Sequence, residues 1–246
     1  MAHFFSALVW GIYGIGFLII FPFVLIAYLL TAPFDSYRRI PNAILMYFGQ
    51  CFTYLNPFWK IHFRGIENFR KKDGVIFMGN HRSFVDMPLL ARLPWNMKWV
   101  SKKELFRVPV AGWILSLAGH ISIDRGSPEA RKSIYKIAPH VKAGQKVMVF
   151  PEGTRSRDGQ IKPFKRGAFL VAWEHNLPIQ PIVISGTEHL MRPGSWVMKL
   201  KGYAVVSILE RISPGDFDSQ EEFIDYTFQT FVAELDRLQI SLQKAA

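Results

Sequence analysis

Cysteine is nearly absent from this chain, and charge is absent from its first 34 residues. The 246 residues contain one cysteine, Cys51, so neither an internal disulfide framework nor a multi-cysteine metal site is available. No Gly-x-Ser-x-Gly elbow offers a nucleophilic serine. No His-Glu-x-x-His or comparable ligand cluster offers a metal site, so no metal and no cofactor are expected. Internal repeats, low-complexity tracts and disordered linkers are also missing. Between Met1 and Phe34 there is no Asp, Glu, Lys or Arg. The apolar run from Phe4 to Leu30 exceeds the roughly 20 residues that a helix needs to cross a hydrocarbon core. It is too long for a signal-peptide core and lacks a positive n-region, so a cleaved leader is not expected.

What is present agrees with a membrane setting. The chain carries 30 Lys+Arg against 19 Asp+Glu, yet half of it is hydrophobic, a pairing that suits an anionic lipid surface better than nucleic acid. Arg38 and Arg39 follow the apolar run, and the positive-inside bias puts the main body on the cytoplasmic side, at the inner membrane in a bacterium. Pro22 can kink the run. A second apolar stretch, from Ala43 to Leu55 with Met46, Tyr47, Phe48 and Phe52, is too short to cross alone and reads as interfacial or re-entrant. Gly11, Gly14 and Gly16 would let a partner helix approach. Residues 1–57 therefore read as membrane-anchoring helices, either a kinked pair embedded from one side or one clean span.

From Phe58 to the end, residues 58–246, short strands alternate with helices, the pattern of a layered α/β domain. Strands are expected at Phe58–Phe63, Gly74–Met78, Lys146–Phe150, Ile179–Ile184 and Tyr203–Leu209. Ser127-Pro128-Glu129 predicts a helix start with Ser127 as N-cap. Ser219 and Glu222 match a capping box ahead of an amphipathic C-terminal helix bearing Ile224, Phe228, Phe231, Leu235 and Leu238 on one side. Phe58, Trp59, Lys60, Trp95, Lys98 and Trp99 suit a membrane-facing surface, with ordinary core packing for the aromatics and solvated charge for the lysines as the plainer reading of each.

Two segments carry candidate chemistry. In Asn80-His81-Arg82-Ser83-Phe84-Val85-Asp86, His81 follows a strand, where loops hold functional groups. On one continuous helix, residues five apart sit about 140° apart, so His81 and Asp86 can meet only if a helix begins between them. Ser83 to Asp86 is a capping-box pattern that predicts such a start. Asp86 would then hold one imidazole nitrogen and leave the other to take a proton. The plainer reading makes Asp86 a helix cap and His81 a turn residue. In Val149-Phe150-Pro151-Glu152-Gly153-Thr154-Arg155-Ser156, Gly153 allows close backbone approach and Arg155 offers a fork for phosphate. A simple Glu152–Arg155 ion pair is the alternative there.

Together the segments resemble the glycerophospholipid acyltransferase family, in particular its 1-acylglycerol-3-phosphate acyltransferase branch. Asn80, His81 and Asp86 match the family's Asn-His-(four residues)-Asp motif, and Phe150 to Ser156 match its Phe-Pro-Glu-Gly-Thr-Arg-Ser motif. The blocks Lys102–Trp113 and Gly119–Arg125 resemble its second motif, with His120 where many members carry asparagine. Ile179–Thr187 resembles its proline-centred strand. The resemblance runs in order from about Phe58 to Gly186 and implies a central mixed β-sheet flanked by helices.

It also implies a reaction. His81 would act as general base and Asp86 would orient it, with direct acyl transfer and no acyl-enzyme. Lys102 or Lys103, or backbone N–H groups at the helix start, would face the oxyanion. Arg125 and Arg155, with Gly153 and Thr154, would hold the acceptor's phosphate, while Glu152 would orient Arg155 or bind the glycerol hydroxyl. Lys165 and Arg166 would bind donor or simply face solvent. The implied partners are acyl-CoA or acyl carrier protein as donor, lysophosphatidate as acceptor, and anionic membrane lipids, with no nucleic acid. Glycerol 3-phosphate or another lysolipid as acceptor, and a hydrolase or thioesterase using the same histidine, are the rival readings.

Overall fold

Runs such as Ile179–Ser185 are apolar on both faces, the signature of strands covered from both sides by helices. The computed structural model describes residues 2–69, 73–124, 126–156 and 158–245. Its strands are β1 (Trp59–Arg64), β2 (Val75–Gly79), β3 (Met97–Lys102), β4 (Ile121–Ile123), β5 (Lys146–Val149), β6 (Ile179–Ser185) and β7 (Gly202–Ile208). They form one sheet in the order β1-β7-β6-β2-β5-β3-β4. The five strands from β6 to β4 in that order run parallel; β7 is antiparallel to β6, and β1 runs parallel to β7. The sheet is therefore mixed, as expected. The α-helices are α1 (Ala2–Thr31), α2 (Arg39–Tyr54), α3 (Asp86–Leu90), α4 (Ala111–Leu117), α5 (Glu129–Tyr135), α6 (Ile137–Lys142), α7 (Arg166–Glu174), α8 (Thr187–Leu190) and α9 (Gln220–Ala245).

Alternation along the strands divides the core in two. Phe77, Met97, Trp99, Met148, Ile184 and Val206 face α1, α2 and α3. Met78, Val147, Val149, Val183 and Val205 face α5, α6, α7 and α9. On the first face Trp95 stacks on Phe77 with ring centroids 4.8 Å apart.

The five expected strands are present, each displaced by no more than a residue or two at its ends. β3 and β4 were not expected. β3 contains Lys98, Trp99 and Lys102, and the first two belong to the set read either as a membrane-facing surface or as ordinary core and solvated charge. In fact Trp59, Trp95, Lys98 and Trp99 are buried, and only Phe58 and Lys60 are exposed. Lys98 is tolerated inside because its Nζ donates to the carbonyls of Arg38, at 2.9 Å, and Ala118. Those bonds tie the turn before α2 and the end of α4 to the sheet. Burial, reinforced by Arg38 and Arg39 and opposed by Asp35, brings the Lys98 pKa down to about 7.

Two helix starts differ in detail from expectation. α5 begins where predicted, but the Ser127 hydroxyl turns back to donate to the Asp124 carbonyl instead of capping. At α9 the Ser219 hydroxyl does accept the Glu222 N–H at 3.2 Å, while the Glu222 carboxylate accepts from Asp218. The buried stripe of α9 is Phe223, Thr227, Phe231, Leu235 and Leu238, so Ile224 and Phe228 sit at its edge.

α1 is one unbroken helix through Pro22, long and apolar enough to cross a membrane. Most of it stays outside the core, with Leu18, Phe23 and Leu29 among its exposed side chains. Its first turns are tied to the sheet-bearing body by two hydrogen bonds, Trp10 Nε1–H donating to the Trp196 carbonyl and the Met198 N–H donating to Ser6 Oγ, and further along Phe21 lies against Trp113 of α4. Of the three glycines expected at a helix contact, Gly16 alone serves it. A Cβ at Gly16 would lie 2.5 Å from the Phe48 ring of α2, but Cβ atoms at Gly11 and Gly14 would meet nothing. α2 is also more than interfacial, since Asn42, Met46 and Phe52 are buried. Cys51 is exposed.

Candidate active site

The parallel strands deliver their C-terminal ends to one edge of the sheet, where ligands of such sheets bind. β2 is flanked by β6 and β5, so the turn after Gly79 emerges at the centre of that edge. Asn80 extends the ladder with its side chain: its Nδ2–H donates to the Ile184 carbonyl at 2.8 Å and its Oδ1 accepts the Ile184 N–H at 2.7 Å. The next residue is His81.

His81 and Asp86 do meet, with Nδ1 of the imidazole 2.8 Å from Asp86 Oδ2. The same oxygen accepts the backbone N–H groups of Arg82 at 2.7 Å and Ser83 at 2.8 Å. The Ser83 contact is one half of the predicted capping box. The other half is displaced, because Ser83 Oγ accepts from Val85 and donates to the Met191 carbonyl. Asp86 Oδ1 accepts the Thr187 hydroxyl at 2.6 Å. Asp86 is fully buried, so these donors replace its lost water. Thr187 was quoted in the fourth motif but given no role. It follows Gly186, whose φ is +94 and where a Cβ would lie 2.4 Å from the Tyr203 carbonyl oxygen, so only glycine fits this close approach. A glycine followed by a hydroxyl residue at a strand end was the available signal.

The loop after β5 grips His81 from the other side. Glu152 Oε1 accepts the His81 N–H at 2.9 Å, its Oε2 accepts the Lys162 N–H at 3.0 Å, and the Ser156 N–H donates to the His81 carbonyl at 2.8 Å. Phe150 lies flat on the imidazole, centroids 4.1 Å apart. Glu152 thus holds two backbone N–H groups and not Arg155, which corrects the ion-pair alternative. Burial raises its pKa, partly offset by those N–H groups.

The remaining candidates are placed unevenly. Gly153 adopts φ +72, with the Lys165 side chain across it. Thr154 is exposed, and Arg155 is partly buried without an ion-pair partner among the described residues. Arg125 lies outside the described residues. Lys103 pairs with Asp124 at 2.9 Å on the surface, and Lys102 is exposed at the end of β3. The helix-start N–H groups of Arg82 and Ser83 are occupied by Asp86, so they are not spare oxyanion donors.

Two cavities approach this edge from opposite faces. One, of about 460 Å³, is lined by Phe150, Gly153, Lys165 and Arg131. The other, of about 220 Å³, is almost wholly apolar and runs beneath α1 and α2, with Phe84 and Met87 on its wall. His120 is among its lining residues; its Nδ1 accepts the Trp99 N–H, and its Nε2 is buried with no partner among the described residues. Burial holds the His120 pKa well below the usual imidazole value.

Comparison with known proteins places these features. The sequence model of the Acyltransferase family matches residues 60–185. The chain is 37% identical over 177 residues to a chloroplastic 1-acyl-sn-glycerol-3-phosphate acyltransferase of Brassica napus, which covers 71% of this chain and 49% of the relative. It is 32% identical over 192 residues to an uncharacterized acyltransferase of Schizosaccharomyces pombe, covering 76% and 67%. The crystal structure of the 1-acyl-sn-glycerophosphate acyltransferase PlsC from Thermotoga maritima superposes with a TM-score of 0.83 at 26% identity, covering 97% of this chain and 96% of that one. The chain spans about half the length of the plant relatives it matches.

Proposed function

The chain belongs to the acyltransferase family, and we propose that it moves a fatty acyl group from an acyl thioester to the sn-2 hydroxyl of 1-acylglycerol 3-phosphate, making phosphatidic acid. The 2.8 Å contact between His81 Nδ1 and Asp86 Oδ2 carries this reading. A carboxylate at Nδ1 fixes the proton there and leaves the Nε2 lone pair outward, on a ring that retains some exposure. Nε2 takes the proton of the acceptor hydroxyl as its oxygen attacks the thioester carbonyl. Asp86 stabilises the imidazolium that results, and the proton then passes to the departing thiolate. No serine or cysteine is needed as an intermediate carrier, so transfer is direct.

The acceptor's phosphate would sit at the loop after β5, with Arg155 and Arg125 as its cations and Gly153 and Thr154 beside them. Lys102 remains the candidate donor for the oxyanion, because Lys103 is engaged by Asp124 and the Arg82 and Ser83 N–H groups by Asp86. The apolar cavity beneath α1 and α2 suits an acyl chain, with α1 in the bilayer and the catalytic edge on its cytoplasmic side. The names of the Brassica napus and Thermotoga maritima proteins, both 1-acylglycerophosphate acyltransferases, support lysophosphatidate as acceptor.

One assay tests the proposal. Full-length protein in lipid vesicles is given acyl-CoA or acyl carrier protein as donor, and lysophosphatidate, other lysolipids or glycerol 3-phosphate as acceptor. Products are identified by mass. Phosphatidic acid from lysophosphatidate is expected, and its loss in His81→Ala without loss of vesicle binding. Free fatty acid released at the same rate without acceptor would make the protein a hydrolase and sink the proposal.

A further inference from the structure

The turn between β3 and α4, together with the first turn of α4, exposes apolar side chains that a solvated surface does not need. Leu105, Val108 and Trp113 are 43%, 45% and 50% exposed. Leu105 and Val108 also form part of the wall of the apolar cavity, so the same side chains face both outside and in. The turn is fixed in this shape. Val110 adopts φ +61, a conformation that β-branched residues rarely take, and Gly112 packs so closely that a Cβ would lie 2.4 Å from the Phe106 carbonyl. The exposed patch continues onto α1, where Phe21 meets Trp113 with ring centroids 5.7 Å apart. Lys102 and Arg107 are exposed beside it, with Glu104 as the carboxylate on the turn and Asp124 facing Lys103.

We propose that the segment Lys103–Val110 and Trp113 form a second lipid-facing surface, through which an acyl chain passes sideways between the bilayer and the cavity. The proposal rests on the reading of α1 as membrane-embedded. Continuity with α1 supplies the direction of the membrane, and the flanking cations suit anionic headgroups. A chain entering here slides between Leu105 and Val108 towards Phe84 and Met87, next to Asp86, and never crosses water.

The test uses the full chain in phosphatidylcholine–phosphatidylglycerol vesicles. In a Cys51→Ser background, single cysteines are placed by Val108→Cys, by Leu18→Cys on the exposed side of α1, and by Asp225→Cys on α9, across the sheet. Each is labelled with an environment-sensitive fluorophore and quenched by nitroxide-bearing lipid or by aqueous iodide. The ratio of lipid to aqueous quenching is expected to be several-fold higher at Val108 and Leu18 than at Asp225. Quenching at Leu18 but an Asp225-like ratio at Val108 would overturn the second surface and spare the membrane reading. An Asp225-like ratio at both would overturn the two together. As a check on passage, a Trp113→Asp variant, at a residue outside the cavity wall, that retains the wild-type melting curve should turn over bilayer-borne lysophosphatidate at least about tenfold more slowly. Its rate with the same acceptor dispersed in detergent should hold, and equal loss in both media would count against the passage.

Discussion

Asp86 accepts from His81, Arg82 and Ser83 at one oxygen and from Thr187 at the other, so its orientation is set without reference to substrate. That crowding predicts an unusual response to Asp86→Asn. Three N–H donors on Oδ2 require the amide oxygen there, which turns the amide nitrogen towards Thr187 Oγ1, a hydroxyl able to accept. The histidine tautomer is then preserved and only the countercharge to the imidazolium is lost. A charge-assisted hydrogen bond contributes about 1.5–3 kcal/mol, so kcat should fall by roughly 10- to 150-fold. Asp86→Ala, which frees the ring as well, should fall much further, and turnover of the two purified variants compares them. Lys98 gives a second prediction at this scale. Its native pKa of about 7 lies below that of an unfolded lysine, so between the two the unfolded chain binds more protons and stability rises with pH. A neutral amine keeps two N–H groups for the Arg38 and Ala118 carbonyls, so the fold loses nothing by releasing the proton. Denaturant titrations from pH 6 to 9 should show the wild type gaining stability, and Lys98→Met should flatten that gain.

Among the elements, the α1–α2 contact has one tight point. Gly16→Leu should separate the helices at Phe48 and lower the melting temperature in detergent, whereas Gly11→Leu should leave it unchanged. An equal effect of both would remove Gly16 from that role. The elements also show where the sequence was readable. β2, β5 and β6 are apolar runs closed by turn residues, so they were visible as buried strands. β3 was hidden because Lys98 looks like a surface residue until its two carbonyl acceptors, from distant parts of the chain, are known. β4 has three residues, too few to display a period. The one-residue rotation of the α9 stripe arose because Phe223 and Ile224, and Thr227 and Phe228, are adjacent pairs, and only packing against Trp173 and Phe169 decides between them.

For the whole molecule, His81 and Asp86 were legible because their separation is local and a helix start lies between them. Glu152 was visible as a motif residue, but its partners were not. They are backbone groups 71 and 10 residues away, and side-chain chemistry does not announce them. Thr187, 101 residues from Asp86, was missed for the same reason. The split between an apolar beginning and an α/β body could be read from composition, but the seating of Ser6 and Trp10 on the body could not.

The clamp on the His81 peptide makes the proposed proton acceptor and the loop proposed to receive the acceptor's phosphate parts of a single lever. When Glu152 and Ser156 hold that peptide, any settling of Gly153 to Arg155 around an anion is transmitted to the aim of the imidazole. Occupancy of one end then tunes reactivity at the other. An acceptor with the same glycerol and acyl chain but no phosphate, a monoacylglycerol, should therefore lose kcat as well as raise KM. Steady-state kinetics on the two acceptors measures this, and a change confined to KM would mean that the lever is slack.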